Sequence, residues 1–440
     1  MRYTIILLIL ILNEVVTAQT GKLEINAYDI NVNLDLSKKQ FLIDIQLSIK
    51  NKTSIRTIPL LLNKHAEIKS IRLNNQENIP FQISGKDSLI ISLPEKSVEI
   101  RKLSLLISYI LPADSFMVKR GMIVMKRFDR WYPLQIGDIF SSNLTINVPN
   151  NLTTISNGSC NKKLMKNNRT SFNWKTSNET DLALFVFNPD SMEYKSEVLE
   201  GTRINFYFIP GLKDEQKIIS LVKSSFNFYS SLLGKYQDNN FSVIEIPADY
   251  YLGQGLHTLL LFTPTLLNSI PDPGAWVPHE VGHQWVGNTI QIDEHSKGWW
   301  FVEESLTEYL RVMYVEHEYG IDSLKRILKD VYFANYTYLV KAGQDVSVLD
   351  VVSVNNFIEE AQSIYAKGPL VFHQVRRCMG DENWNAMIKG IYKSFKNKKF
   401  TLEDFKNGIS KYQNDGKCLN LLNNLLISKG IPKNIGFEKE

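Results

Sequence analysis

Cysteine is scarce in this chain: 440 residues hold three, Cys160, Cys378 and Cys418, an odd number set far apart. That spacing excludes a disulfide framework as the source of stability. It leaves a Cys378–Cys418 bridge between C-terminal helices as an open pairing. Charge of one sign is lacking too. The 50 basic and 46 acidic residues leave a formal net charge of +4, and the basic ones are scattered, so no nucleic-acid surface is expected. Long apolar runs are also missing: nothing approaches the ~18 residues of a membrane helix. The longest, Ile5–Leu12, follows Arg2 and precedes the small residues Val16-Thr17-Ala18. It is too short to span a bilayer and has the layout of a secretory signal peptide over 1–18, cut before Gln19. The expectation is an exported chain, secreted or periplasmic, with no membrane span in its mature form.

What is present is a change of period along the chain. From Leu23 to about Lys195 apolar residues alternate with polar ones, as in Ile30, Val32, Leu34 and Leu36, in Phe41, Ile43, Ile45, Leu47 and Ile49, and in Leu144, Ile146 and Val148. Short strands of this kind, separated by Asn, Gly, Pro and Ser, predict an antiparallel β-sandwich. Near residue 200 the pattern changes. A strand ends at Pro210. Ile218, Leu221, Val222, Phe226, Tyr229, Leu232 and Leu233 then follow helical spacing up to Gly234, and Phe241–Ile246 is a further strand. The rest is mainly helical, with Gly320 and Gly380 as stops and a capping sequence at Thr401-Leu402-Glu403-Asp404. The fold class expected is α+β, divided into 19–198, 199–380 and a helical segment 381–440.

Within the helical part lies His279-Glu280-Val281-Gly282-His283. On an α-helix, two histidines four residues apart stack on one face, and both rings can share one metal ion. Glu280 points about a quarter turn away, where it reaches a metal-bound water without ligating. Imidazole ligands with an open position suit Zn²⁺. Pro278 is compatible with this helix if it falls in the first turn, and Gly287-Asn288 should end it.

The motif continues as Gln284-Trp285-Val286-Gly287-Asn288. In this it resembles the aminopeptidase N family of zinc metallopeptidases, gluzincins with a thermolysin-like catalytic domain. The resemblance implies a third ligand on the next helix, in a stretch like Trp-Leu-Asn-Glu-Gly-Phe-Ala-Glu-Tyr. The matching stretch is Phe301-Val302-Glu303-Glu304-Ser305-Leu306-Thr307-Glu308-Tyr309. Of its two adjacent glutamates, Glu304 keeps the family's offset to Glu308 and Tyr309 and is the expected ligand. Glu308, one turn on, would steady a metal-bound histidine. This places the ligand two residues beyond the usual spacing, absorbed by a longer loop around Asp293–Gly298. Tyr365-Ala366-Lys367-Gly368 resembles the family's Tyr-x-Lys-Gly, which implies the Tyr365 hydroxyl as oxyanion donor. Trp131-Tyr132-Pro133-Leu134 and Ser156-Asn157-Gly158 resemble the end of the family's N-terminal β-domain.

One motif departs from the pattern. Family aminopeptidases carry Gly-x-Met-Glu-Asn, whose glutamate binds the substrate α-amino group, where this chain has Gly253-Gln254-Gly255-Leu256-His257. Gly253, Gln254 and Gly255 are expected to keep the edge strand that pairs with a peptide. Neither a leucine nor a neutral histidine pairs with an ammonium, and His257 is expected to be structural. About 70 residues follow Gly368, too few for the roofing helical domain of larger members, so an open cleft is expected. The expectation is a secreted, aminopeptidase-like zinc metallopeptidase acting on peptides or proteins. One Zn²⁺ per chain is held by His279, His283 and Glu304, with Glu280 as base and Tyr365 as oxyanion donor. An endopeptidase or other zinc hydrolase on the same scaffold, or an inactive binding protein, is the alternative.

Overall fold

The computed structural model describes residues 23–431, apart from 53, 75–76, 86, 119–120, 248–252, 265–275 and 352–362. The expected signal peptide lies outside the described residues. Alternation of apolar residues produces an eight-stranded sheet whose buried face carries Ile30, Val32, Ile43, Ile45, Leu144 and Ile146. Two three-stranded sheets, 57–92 and 123–187, add Ile58, Ile91, Val124 and Phe185 to the same core. Among the described residues the sandwich strands pair antiparallel with one exception. Leu23–Asp35 runs parallel to Phe140–Pro149, Ile30 opposite Leu144. A parallel neighbour requires a long crossover, and the intervening strands supply one.

The second part is built on a five-stranded sheet in the order Glu193–Leu199, Thr202–Phe208, Asn240–Glu245, Leu259–Phe262, Gln254–Leu256. Because Glu193–Leu199 pairs with Thr202–Phe208, this sheet starts a few residues before the expected division at 198/199. Helices α1 (Glu215–Leu232), α2 (Val277–Gly282), α3 (Leu306–Tyr319), α4 (Ile321–Ile327), α5 (Ala334–Lys341), α6 (Gly368–Met379), α7 (Asp381–Phe395), α8 (Leu402–Tyr412) and α9 (Lys417–Ile427) follow. Gly320 and Gly380 end α3 and α6 with φ of +82° and +79°, which glycine adopts without a Cβ penalty. Thr401 and Asp404 form the capping box of α8. Trp384, Phe405 and Leu422 from the last three helices join the same core as Tyr309 and Phe372, so 381–427 packs as part of the catalytic body. Cys378 and Cys418 are disulfide-bonded across α6 and α9. Among the described residues, no helix is long and apolar enough to cross a membrane.

Three π-helical turns interrupt the helices, at Phe301–Ser305, Leu328–Phe333 and Ser363–Lys367. Two of them carry expected site residues, in keeping with the tendency of such turns to occur at functional sites.

Candidate metal centre and active site

Helix α2 is only six residues long, with Pro278 in its first turn, and tertiary contacts hold it. Trp285 is fully buried among the rings of Phe226, Tyr229 and Tyr236, at 5.2, 5.6 and 5.5 Å. Its indole N–H donates to Gly234 O at 2.8 Å, and the Tyr229 hydroxyl donates to Pro278 O at 2.8 Å. Gln284 accepts from Thr258 N at 3.0 Å and donates to Leu256 O at 2.8 Å. Asn288 donates to His283 O and Gly255 O at 2.8 and 3.2 Å. Sequence reasoning gave Gln284 and Trp285 no role and Asn288 that of a helix stop, whereas the helix ends earlier, at Gly282. All three side chains clamp the helix to α1 and to the edge strand.

His279 and His283 stack as the i, i+4 spacing requires. Their Nε2 atoms lie 3.1 Å apart, and one Glu304 oxygen lies 3.3 Å from His279 Nε2 and 3.4 Å from His283 Nε2. A tetrahedral ion with bonds of about 2.0–2.1 Å requires ligand atoms about 3.3 Å apart. The donor set therefore fits zinc in size as well as in kind, and His279, His283 and Glu304 form the only such group among the described residues. Glu303 goes elsewhere: its carboxylate stands 3.0 Å from where a Cβ on Gly287 would be, beside His283 Nδ1, on the ring edge away from Nε2. Glu308 Oε2 lies 2.8 Å from His279 Nδ1, while its other oxygen accepts from Tyr332 at 2.7 Å and from Arg311. The lengthened loop before the ligand is pinned to the sandwich by Arg127, which donates two 2.8 Å hydrogen bonds to Glu294.

Electrostatics agree with a cation at this point. Burial opposes charge on His279, yet Glu304 and Glu308 outweigh it and raise its pKa to about 10. A metal entering the site must displace protons held there. Burial and the neighbouring Glu304 push Glu303 up toward its neutral form. Burial also raises Glu280, partly offset by the two histidines. Three carboxylates, Glu304, Glu308 and Glu280, act on His279, and of these Glu308 is paired with the Arg311 guanidinium.

Tyr365 sits on the π-turn 363–367, its ring 6.1 Å from that of His279. Burial, then the Glu304 charge, raises its pKa well above the usual phenol value. Gly368 explains how the turn comes so close, since a Cβ there would lie 2.0 Å from Ser305 Oγ. Lys367 is buried behind the site, donating to Ser428 O 5.4 Å from the Tyr336 ring centroid. Gly253 and Gly255 bring the edge strand onto α2: Cβ atoms there would meet Glu280 Oε1 at 2.9 Å and Glu280 O at 2.4 Å. Gln254 lies between them on this strand. Leu256 faces the core, and His257 is turned away into the seam with the sandwich.

Two histidines on α2 and a glutamate on the π-turn 301–305 make a donor set that agrees with the class the family match gives, a zinc metallopeptidase. Residues 267–425 match the Peptidase family M1 domain, in accord with the resemblance to the aminopeptidase N family. Solved structures share the fold over both halves. The M1 zinc metallopeptidase from Deinococcus radiodurans is 15% identical, with a TM-score of 0.73 over 93% of this chain and 95% of that one. A glutamate-to-alanine mutant of it bound to a Tyr-Ser-Ala substrate gives 15%, 0.72, 94% and 96%. A two-domain M1 zinc metallopeptidase mutant bound to L-tryptophan gives 14%, 0.74, 94% and 96%. At these identities the likeness is one of fold. No curated protein matches the sequence.

Proposed function

We propose that this chain hydrolyses peptide bonds in an aminopeptidase-like manner, with one Zn²⁺ held by His279, His283 and Glu304. The observation that carries the proposal is the triangle of donor atoms with 3.1, 3.3 and 3.4 Å edges. When bound, zinc would supply a Lewis acid that polarises the scissile carbonyl and acidifies a water. The remaining chemistry belongs to the chain. Glu280, one residue after the first ligand and beside the edge strand, takes the proton of the attacking water and passes it to the leaving amine. Tyr365, a phenol that holds its proton at neutral pH, can donate its hydroxyl to the developing oxyanion. Glu308 holds His279 in orientation from the far side of the ring. Gly253, Gln254 and Gly255 offer backbone groups of an edge strand to an extended peptide.

The substrate class is peptide or protein, and a Tyr-Ser-Ala tripeptide, bound by the fold neighbour, is a fitting first assay. Export by the segment 1–18 belongs to the same proposal and is checked by N-terminal sequencing of protein recovered outside the cytoplasm. The direct test is metal analysis with Glu280→Gln beside the wild type. Both should carry about one zinc per chain, removable by chelators, while Glu280→Gln loses hydrolysis. Zinc well below half an equivalent after loading, or an active Glu280→Gln, would sink the reading.

A further inference from the structure

A second buried charge cluster lies away from the metal, across the seam between the sandwich and the catalytic sheet. His257 is 7% exposed and stands at the turn between Gln254–Leu256 and Leu259–Phe262. Its Nε2 is 2.9 Å from Asp238 Oδ2, and its Nδ1 contacts Glu179 Oε1. With a carboxylate on each ring nitrogen, only the doubly protonated imidazolium donates to both. Burial opposes that charge, but Glu179 and Asp238 outweigh it and raise the pKa to about 10. Glu179 ends a strand of the sandwich, whereas Asp238 follows α1. The turn is also held through its backbone: Asn157 donates to His257 O at 3.2 Å, Gly158 N to Thr258 Oγ1 at 2.8 Å, and Thr258 N to Gln284 at 3.0 Å. Thr258 has a φ of +61°, a left-handed conformation that a β-branched residue keeps only under such constraint.

The same short strand reaches the reaction centre. Gly255 lies two residues back, about 7 Å of extended chain, so close to α2 that a Cβ there would stand 2.4 Å from Glu280 O. A Cβ on Gly255 would stand 2.8 Å from His283 Cβ, so the strand cannot shift toward α2 without a clash. We propose that His257 is a positioning residue for hydrolysis: by bridging Glu179 and Asp238 it sets the hairpin that lays Gly255 against Glu280. The sandwich thereby takes part in aligning the base. This rests on the reading of Glu280 as that base.

The test uses full-length, zinc-loaded protein and a short peptide, with kcat, KM and zinc content measured together. His257→Gln removes the cation and should lower kcat by about tenfold or more, with KM moving less and zinc unchanged, as small misalignments of a catalytic group do. His257→Arg keeps a cation that can fork between two carboxylates. The adjoining cavity of about 290 Å³, lined by Gly158, Lys175, Thr176, Asp238, Asn240 and His257, accommodates its extra length, so kcat should return to within about threefold of wild type. Asp238→Asn, at the solvent edge of the seam, covers the case in which His257→Gln does not fold, and should lower kcat by about threefold or more. Wild-type kcat in both His257→Gln and Asp238→Asn would overturn the proposal, as would an Arg variant no better than Gln, whatever happens to thermal stability. Glu280→Gln, run in parallel, separates the two levels: activity there refutes the base assignment itself.

Discussion

Glu303 and Glu304 are chemically identical neighbours placed in opposite electrostatic roles. Glu304 faces both imidazole Nε2 atoms, and their charges hold its pKa well below the carboxylate range despite burial. Glu303, pushed up by burial and by Glu304, faces the other edge of His283 and has no side-chain hydrogen bond or ion pair among the described residues. Glu304→Ala should therefore weaken zinc binding by about 10-fold or more, whereas Glu303→Ala keeps the metal; zinc titration against a chelator distinguishes them. The reverse order of affinities would mean that the third ligand is Glu303. Tyr365→Phe removes a donor that is useful only once charge develops on the carbonyl oxygen. It should lower kcat by about 10²- to 10³-fold with little change in KM, and an unchanged rate would remove Tyr365 from the mechanism.

At the level of elements, the site depends on two π-turns pressed together. Ser305, next to Glu304, donates its hydroxyl to Ile364 O at 2.7 Å, and Gly368 packs on Ser305 without a side chain. Gly368→Ala would force the turns apart. It should destabilise the protein by about 1–3 kcal/mol and also lower kcat, because Glu304 and Tyr365 ride on the displaced turns. Denaturation midpoints and kcat measured on one preparation check this, and a variant unchanged in both would show that the contact is soft. These turns were not legible in the sequence, since a shift from i+4 to i+5 hydrogen bonding is decided by what packs on the helix. The His279/His283 pair was legible because its geometry is wholly local. Glu304 followed from the offset to Glu308 and Tyr309 that the family resemblance implies, with Glu308 one turn on. Alternation revealed which faces of the strands are buried but not their partners, so the parallel pairing of Leu23–Asp35 with Phe140–Pro149 emerged only in three dimensions. The same holds for His257, expected as an ordinary structural histidine: its two carboxylates come from positions 78 and 19 residues away. The Cys378–Cys418 bond was legible only as one option.

On the scale of the whole molecule, several hydrogen bonds tie the sandwich to the catalytic half, among them Gln291 to Asn178 O and Asn240 to Gly158 O. Arg127 holds Glu294 ahead of the third ligand, and Glu179 with Asn157 holds the edge hairpin. That arrangement bears on which end of a substrate the cleft recognises. Leu256, at the position where family aminopeptidases carry the amine-binding glutamate, is buried in the core at 4% exposure. His257 is turned into the seam, where both ring nitrogens are taken up by Glu179 and Asp238, so it offers nothing to a substrate ammonium. Losing a buried charge-assisted contact of that kind costs about 2–5 kcal/mol, and neither residue replaces it. A peptide with an acetylated N-terminus should therefore be cleaved within about tenfold of its free counterpart, equivalent to roughly 1.4 kcal/mol of discrimination. The measurement is kcat/KM for matched free and acetylated peptides, with product mapping to locate the cut. A preference of a thousandfold or more for the free amine would contradict this expectation, and Glu303, the carboxylate next to the ligand Glu304, would then be the first residue to test as the amine's partner.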